Sequence, residues 1–229
     1  MPTPVVTFDA GLTLIELDLD FLAQRLGERG VCVDPAALQA AAPAAWQHYD
    51  VLAPTSTHPW KEFMGKLLEG AGVGAGQGPP LVDWLWSEQP RKNLFRKPIV
   101  PMITLARELE AQGVTLAVLS NSEGRLAELL SEIDVAAPFA AIIDSGRLAF
   151  AKPDPRIFAH TLEVLGVRDA DVVHIGDSWT ADVEPALAVG WRAIWYRSRG
   201  AAEQGDERVP VARDATEVRA ALVRYGFLR

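Results

Sequence analysis

The sequence predicts an α/β protein: a doubly wound parallel sheet interrupted after its first strand by a helical insertion. Three observations carry that expectation. Short apolar runs alternate with amphipathic helical patterns over most of the chain. One block, residues 17–90, holds helical patterns alone. Polar residues of a few recurring types stand just after several of the apolar runs, at the strand ends where open parallel sheets bind their ligands.

The runs Val5–Phe8, Val114–Leu119, Phe139–Ile143, Val172–Ile175 and Ala193–Tyr196 read as strands. Each is nearly all apolar, as expected of parallel strands covered on both faces. Ile103–Glu110, Arg125–Ile133, Ile157–Leu165 and Ala181–Val189 are amphipathic and separate them, and residues 215–225 form a closing helix. Pro185 fits such a helix only in its first turn.

Within the block, segments 17–29, 35–52, 59–70 and 80–88 repeat apolar residues at three- and four-residue spacing, the period of a helix. The glycine-rich run Gly70–Pro80 is a turn between them. Its loose match to the dinucleotide-binding glycine pattern follows a helix, not a strand, which excludes that reading. The division expected is therefore a core of residues 1–16 and 91–229 with an insertion of residues 17–90. Trp46, Trp60, Trp84 and Trp86 lie in the insertion and mostly serve its packing, with one or two available to line a pocket.

Composition sets further bounds. With 49% hydrophobic residues in a chain of 229, a core can form without disulfides or structural metals. A net charge of −8 argues against non-specific nucleic-acid binding. The single cysteine, Cys32, has no partner for an internal disulfide and reads as a small buried hydrophobe in a reducing compartment. The N-terminus lacks signal-peptide form, and no stretch reaches the ~18 apolar residues of a membrane span. A cytoplasmic protein without a membrane segment is the expectation; no feature specifies an oligomeric state.

The chemistry lies at the strand ends. Strand one ends Phe-Asp9-Ala-Gly11-Leu-Thr13. The second ends Leu-Ser120-Asn121, Lys152 follows in Ala-Lys-Pro-Asp-Pro, and a later strand ends Gly176-Asp177-Ser178 with Asp182 five residues beyond Asp177. Each alone has a plain reading: Asp and Ser cap helices, and Pro155 suits a first helical position behind an Asp154 cap. Together, two carboxylates, a hydroxyl and a lysine at one sheet edge exceed what capping explains.

Asp-x-x-x-Thr, strand–Ser-Asn, Lys-Pro-Asp-Pro and Gly-Asp-Ser-x-x-x-Asp, in that order, resemble the four motifs of the haloacid dehalogenase (HAD) superfamily. The resemblance runs from about residue 5 to 196, and the insertion falls where that family places its first-type (C1) cap on a Rossmann-like core. It implies a hydrolase in which Asp9 attacks the phosphorus of a small phosphorylated substrate. Thr13 belongs to the nucleophile motif. Ser120 and Asn121 would meet the phosphoryl group, and Lys152 would neutralise charge shared with Asp9. Mg2+ would be held by Asp9, the Gly11 carbonyl and Asp177, with Asp182 steadying Lys152 or a metal-bound water. A cap would close over a small metabolite.

Two residues depart from the family pattern. Phosphatases of this family usually carry a second aspartate at the Gly11 position and often a glycine at the Leu12 position. The missing acid would be replaced by another residue, by a substrate with a good leaving group, or not at all. Glu16, Asp18, Asp20, His48 and His58 are the candidates for a substitute, each with the plainer reading of a surface or helix-terminal residue. Gly11 also admits a 2-haloacid dehalogenase, whose members lack that aspartate and use no metal; Asp177 favours phosphoryl chemistry. A catalytically impaired member with a binding role is a further alternative. A serine hydrolase built on Ser120, Ser122 or Ser178 with His174 lacks the Gly-x-Ser-x-Gly elbow, and His174 reads as buried within its strand.

Overall fold

A computed structural model describes residues 2–52, 56–167, 170–199 and 206–228. The strands are β1 (Thr3–Phe8), β2 (Ile15–Leu17), β3 (Phe95–Pro98), β4 (Thr115–Ser120), β5 (Ala141–Asp144), β6 (Ala170–Gly176), β7 (Arg192–Tyr196) and β8 (Val211–Ala212). The helices are α1 (Leu19–Gly27), α2 (Pro35–Leu52), α3 (Pro59–Gly70), α4 (Gly78–Glu88), α5 (Val100–Ala111), α6 (Leu126–Glu132), α7 (Pro155–Leu165), α8 (Glu184–Ala188) and α9 (Ala215–Arg224). Two compact units result: Met1–Glu16 with Phe95–Arg229, and Leu17–Leu94.

The first unit is a six-stranded sheet in the order β5-β4-β1-β6-β7-β8, parallel at every pairing. Side chains alternate between its faces. Val6, Phe8, Leu116, Val118, Val173 and Ile175 join one apolar cluster with Leu105 of α5, Leu130 of α6 and Leu222 of α9. Val5, Leu119, Val172 and Ala193 join another with Ile157 and Phe158 of α7 and Ala186 of α8. The sheet is thus doubly wound. Thr7 and His174, register partners on β1 and β6, have the parity of the α7–α8 face.

Three local features differ from the sequence expectation. The edge strand β8 has two residues, too few to show a period. Phe139 lies ahead of β5 and meets Phe8 edge-on with ring centroids 5.9 Å apart. The helix expected over 181–189 opens as a π turn, Trp179–Val183, before α8, whose first turn contains Pro185. Proline has no amide hydrogen to donate, and the first turn is where a helix tolerates it.

The second unit is helical. Leu22, Leu26, Leu38, Phe63, Met64, Leu67, Leu68 and Leu85 are buried in it. Trp46 lies against Phe63 with centroids 4.0 Å apart, and Trp60 meets Trp86 at 5.3 Å. The buried Arg25 guanidinium sits 4.6 Å above the Trp84 ring and pairs with Glu28 and Glu88. Cys32, expected to be buried, is exposed, because it falls in the loop between α1 and α2 rather than on an apolar helix stripe. Among the described residues no helix is long and apolar enough to cross a membrane.

Candidate active site

Asp9 follows β1, and its amide donates to the Ile175 carbonyl of β6 (2.8 Å), which fixes it at the C-terminal edge of the sheet. The chain then turns tightly. The amides of Thr13, Leu14 and Ile15 converge on the Ala10 carbonyl at 3.3, 2.8 and 3.0 Å. Leu12 occupies the left-handed region with φ 58°, a conformation that favours glycine. Gly11, one residue earlier, has no positive φ and has room for a side chain. A Cβ there would meet only Asp9 Oδ2, at 3.9 Å.

Lys152 is the hub. It precedes α7, whose N-terminus is capped by Asp154 accepting from the Arg156 amide (2.9 Å), and its bond to Pro153 is cis. Its ammonium donates to Asp9 Oδ1 (2.7 Å), Asp182 Oδ1 (2.5 Å) and the Leu119 carbonyl (2.8 Å). All three N–H bonds are thereby used, and its side chain is 2% exposed. Burial alone would lower the Lys152 pKa, but the charges of Asp182 and Asp9 hold it above the ordinary lysine range.

Asp182 is buried and bridges several elements. Besides Lys152, its carboxylate accepts from the Ser178 amide (2.9 Å) and lies 3.2 Å from His174 Nε2. Burial would raise its pKa; Lys152 and His174 outweigh that and hold the group well below the usual carboxylate range. Asp9 moves the other way. Burial raises it, and the opposing Lys152 charge does not fully compensate.

Asp177 stands at the end of β6. Its carbonyl accepts from Trp195 Nε1 (2.9 Å), and Trp195 packs edge-on against Trp179 with centroids 5.0 Å apart, so this aromatic pair fixes the Asp177 loop. Carboxylate oxygens of Asp9, Asp177 and Asp182 lie within 4.8 Å of one another. Burial and the neighbouring Asp182 and Asp9 charges push the Asp177 carboxyl well above its ordinary value, against partial relief from Arg199 and Lys152. The cluster is therefore short of positive charge. An all-oxygen donor set with a charge deficit fits a hard divalent cation such as Mg2+. Thr13 Oγ1, in the turn after Asp9, is buried without a hydrogen-bond partner, and unmet buried polar atoms carry a cost that a bound group can remove.

The first unit thus brings Asp9, Lys152, Asp177 and Asp182 together, with Gly11 and Thr13 in the adjoining turn. The Ser120 hydroxyl bonds to Asp9 and lowers its pKa. The Asn121 side-chain amide is engaged with the Lys152 backbone. Its Nδ2 donates to the Lys152 carbonyl and its Oδ1 accepts from the Lys152 amide, both at 2.9 Å. Of the candidate replacement acids, Glu16 pairs with Lys97 (2.9 Å) and Asp18 caps α1 by accepting from the Phe21 amide. Asp20 is exposed in the first turn of α1, His48 lies within α2, and His58 precedes α3 without a side-chain capping bond. Sequence reasoning missed Thr7 and Trp195. The available signal for Thr7 was a polar residue within the apolar run Val5–Phe8, as His174 is within Val172–Ile175.

Residues 23–190 match the family model of haloacid dehalogenase-like hydrolases, and the chain belongs to that family. It is 30% identical over 146 residues to haloacid dehalogenase-like hydrolase domain-containing protein 3 of Mus musculus, covering 61% of this chain and 56% of that protein. The chain thus spans little more than half the length of that relative. It is 27% identical over 173 residues to a phosphoserine phosphatase of Thermus thermophilus, covering 73% of this chain and 68% of that one. Its fold matches the magnesium-bound HAD-hydrolase YfnB of Bacillus subtilis with TM-score 0.67 and 19% identity, over 97% of this chain and 99% of that one. Similar folds include both a HAD phosphatase and 2-haloacid dehalogenases, so the fold by itself does not choose the reaction.

Proposed function

We propose that this HAD-like hydrolase cleaves small phosphorylated metabolites with Asp9 as nucleophile. The observation that carries the reading is the cluster of three carboxylates around one ammonium. Asp9, Asp177 and Asp182 leave a shortage of positive charge that a divalent cation resolves, and such a cation then favours an anionic phosphoryl group beside it. Displacement of halide from carbon needs no such arrangement.

Lys152 holds Asp9 Oδ1, which leaves Oδ2 to attack phosphorus. The bond from phosphorus to the leaving oxygen breaks as the bond to Oδ2 forms. Water then attacks the same phosphorus, the bond to Asp9 breaks, and inorganic phosphate leaves. Asp9, the Gly11 carbonyl and Asp177 would hold Mg2+, which when bound supplies Lewis-acid stabilisation of phosphoryl charge. Lys152 supplies fixed positive charge beside the nucleophile, and Thr13 and Ser120 supply hydroxyls. Such positioning and charge stabilisation are most of what phosphoryl transfer requires. Asn121 holds the Lys152 backbone in place. We assign substrate selection to the unit Leu17–Leu94, the part of the chain in the cap position of the family.

No side chain at Gly11 can protonate the leaving oxygen, and a placed general acid contributes ~10²–10⁴-fold. Aryl and acyl phosphates, whose leaving groups need little protonation, are therefore the favoured substrate class. Gly11 also favours one second reading, metal-independent 2-haloacid dehalogenation by the same Asp9.

The test is phosphate release from p-nitrophenyl phosphate with Mg2+ and with EDTA, for wild type and Asp9→Asn. Activity requiring both Mg2+ and Asp9 supports the proposal. Inactivity with Mg2+ removes it, and halide release from 2-chloropropionate then decides the second reading.

A further inference from the structure

Behind Lys152 runs a second layer of hydrogen bonds that the reaction as proposed does not use. His174 is 1% exposed in β6 and packs edge-on against Phe158 of α7 at 6.1 Å. Its Nδ1 lies 2.8 Å from Thr7 Oγ1 and its Nε2 lies 3.2 Å from Asp182 Oδ1. That same oxygen receives the Lys152 ammonium at 2.5 Å. An ionised carboxylate only accepts, so the proton on this edge belongs to Nε2. In the neutral ring Nδ1 is then an acceptor, and Thr7 donates to it. Thr7 and His174 are register partners on adjacent strands, so the backbone ladder sets the orientation of the ring.

We infer that His174, oriented by Thr7, is a positioning residue for the reaction: it fixes Asp182 Oδ1, through it the Lys152 ammonium, and through that the attacking carboxylate of Asp9. The chain Thr7–His174–Asp182–Lys152–Asp9 is continuous and buried at every link. A histidine that served packing alone would need no donor aimed at Asp182, whose carboxylate already receives Lys152 and the Ser178 amide. The extra donor lies 3.2 Å from the same Oδ1 that receives the lysine. Partners of this outer kind typically change activity by about 10- to 100-fold when removed.

The inference rests on the phosphatase reading for its kinetic test, so a second readout independent of turnover accompanies it. His174→Leu keeps an apolar filler and removes the donor; His174→Gln restores a donor toward Asp182. With p-nitrophenyl phosphate and Mg2+, His174→Leu is expected to lose about 10- to 100-fold in kcat with KM close to wild type. His174→Gln is expected to recover most of that loss. In 15N NMR of the full chain, the Lys152 ammonium resonance is expected to move in His174→Leu and return in His174→Gln. Wild-type kcat per folded molecule and an unmoved resonance in His174→Leu overturn the inference, including when the variant merely melts earlier. If His174→Leu does not fold, His174→Asn, too short to reach Asp182, takes its place with the same two outcomes. If wild type releases no phosphate, the phosphatase reading fails and the resonance alone decides: moved and restored supports the positioning role, unmoved overturns it.

Discussion

The Asp182 carboxylate lies directly against the backbone of Gly176. A Cβ at Gly176 would stand 2.3 Å from Asp182 Cγ and 2.4 Å from its Oδ2, so the glycine is what lets the carboxylate reach Lys152. Gly176→Ala is expected to destabilise the protein by about 1–3 kcal/mol, the usual cost of overpacking a rigid site. It is also expected to lower turnover at least about tenfold, because the side chain that must move is the one holding the lysine. Urea unfolding and steady-state kinetics on the same preparation check both parts.

Leu12 holds a left-handed backbone (φ 58°) at a cost of roughly 1 kcal/mol for a residue with a Cβ. Comparing Leu12→Gly with Leu12→Ala isolates that cost, since both remove the side chain beyond Cβ and only the former relieves the backbone. Leu12→Gly is expected to be the more stable of the two by about 1 kcal/mol. Equal unfolding midpoints for the pair would mean that the turn relaxes without strain.

Gly11 has room for the acid it lacks, with only Asp9 Oδ2 within 4 Å of a Cβ. A carboxyl installed there would supply an acid for the leaving oxygen, which departs in line with the attacking Oδ2 from the far side of phosphorus. Gly11→Asp is expected to raise kcat/KM for an alkyl phosphate by at least about tenfold and for p-nitrophenyl phosphate by much less. An unchanged ratio between the two substrates would show that leaving-group protonation is not limiting.

Lys152 neutralises two buried carboxylates at once. Lys152→Met is expected to abolish phosphate release and to lower stability by about 3–5 kcal/mol, the cost of stranding buried charge. Adding Asp182→Asn should return part of that stability without returning activity. Chemical denaturation of the two variants reads the difference; additive losses would argue against a shared charge network.

The α/β core was legible because strands buried on both faces are mainly apolar, and β1, β4, β6 and β7 each carry an apolar run. Carboxylates and a lysine at the ends of such strands stand out for the same reason. What sequence did not reveal depends on register or on close approach. Nothing in the order of residues says that Thr7 faces His174, that the Trp195 indole reaches the Asp177 carbonyl, or that Asn121 turns to the Lys152 backbone. β8 and the β2–β3 ladder are too short to carry a period. Cys32 was misread because an apolar residue type in a short Val-Cys-Val run looks buried, although a loop between two helices need not cover it.

The pairing of Thr7 with His174 also bears on how the protein comes to exist as an enzyme. A slip of one residue between β1 and β6 would rotate His174 into the face filled by α5 and α9 and strand Thr7 opposite an aliphatic side chain. It would also displace Asp9 from the Ile175 carbonyl. A mis-registered sheet therefore cannot assemble the lysine hub, and its polar groups would be left without partners in the interior. The contacts that hold the nucleophile therefore exist only in the observed register, so that a chain able to react is one whose sheet has closed correctly.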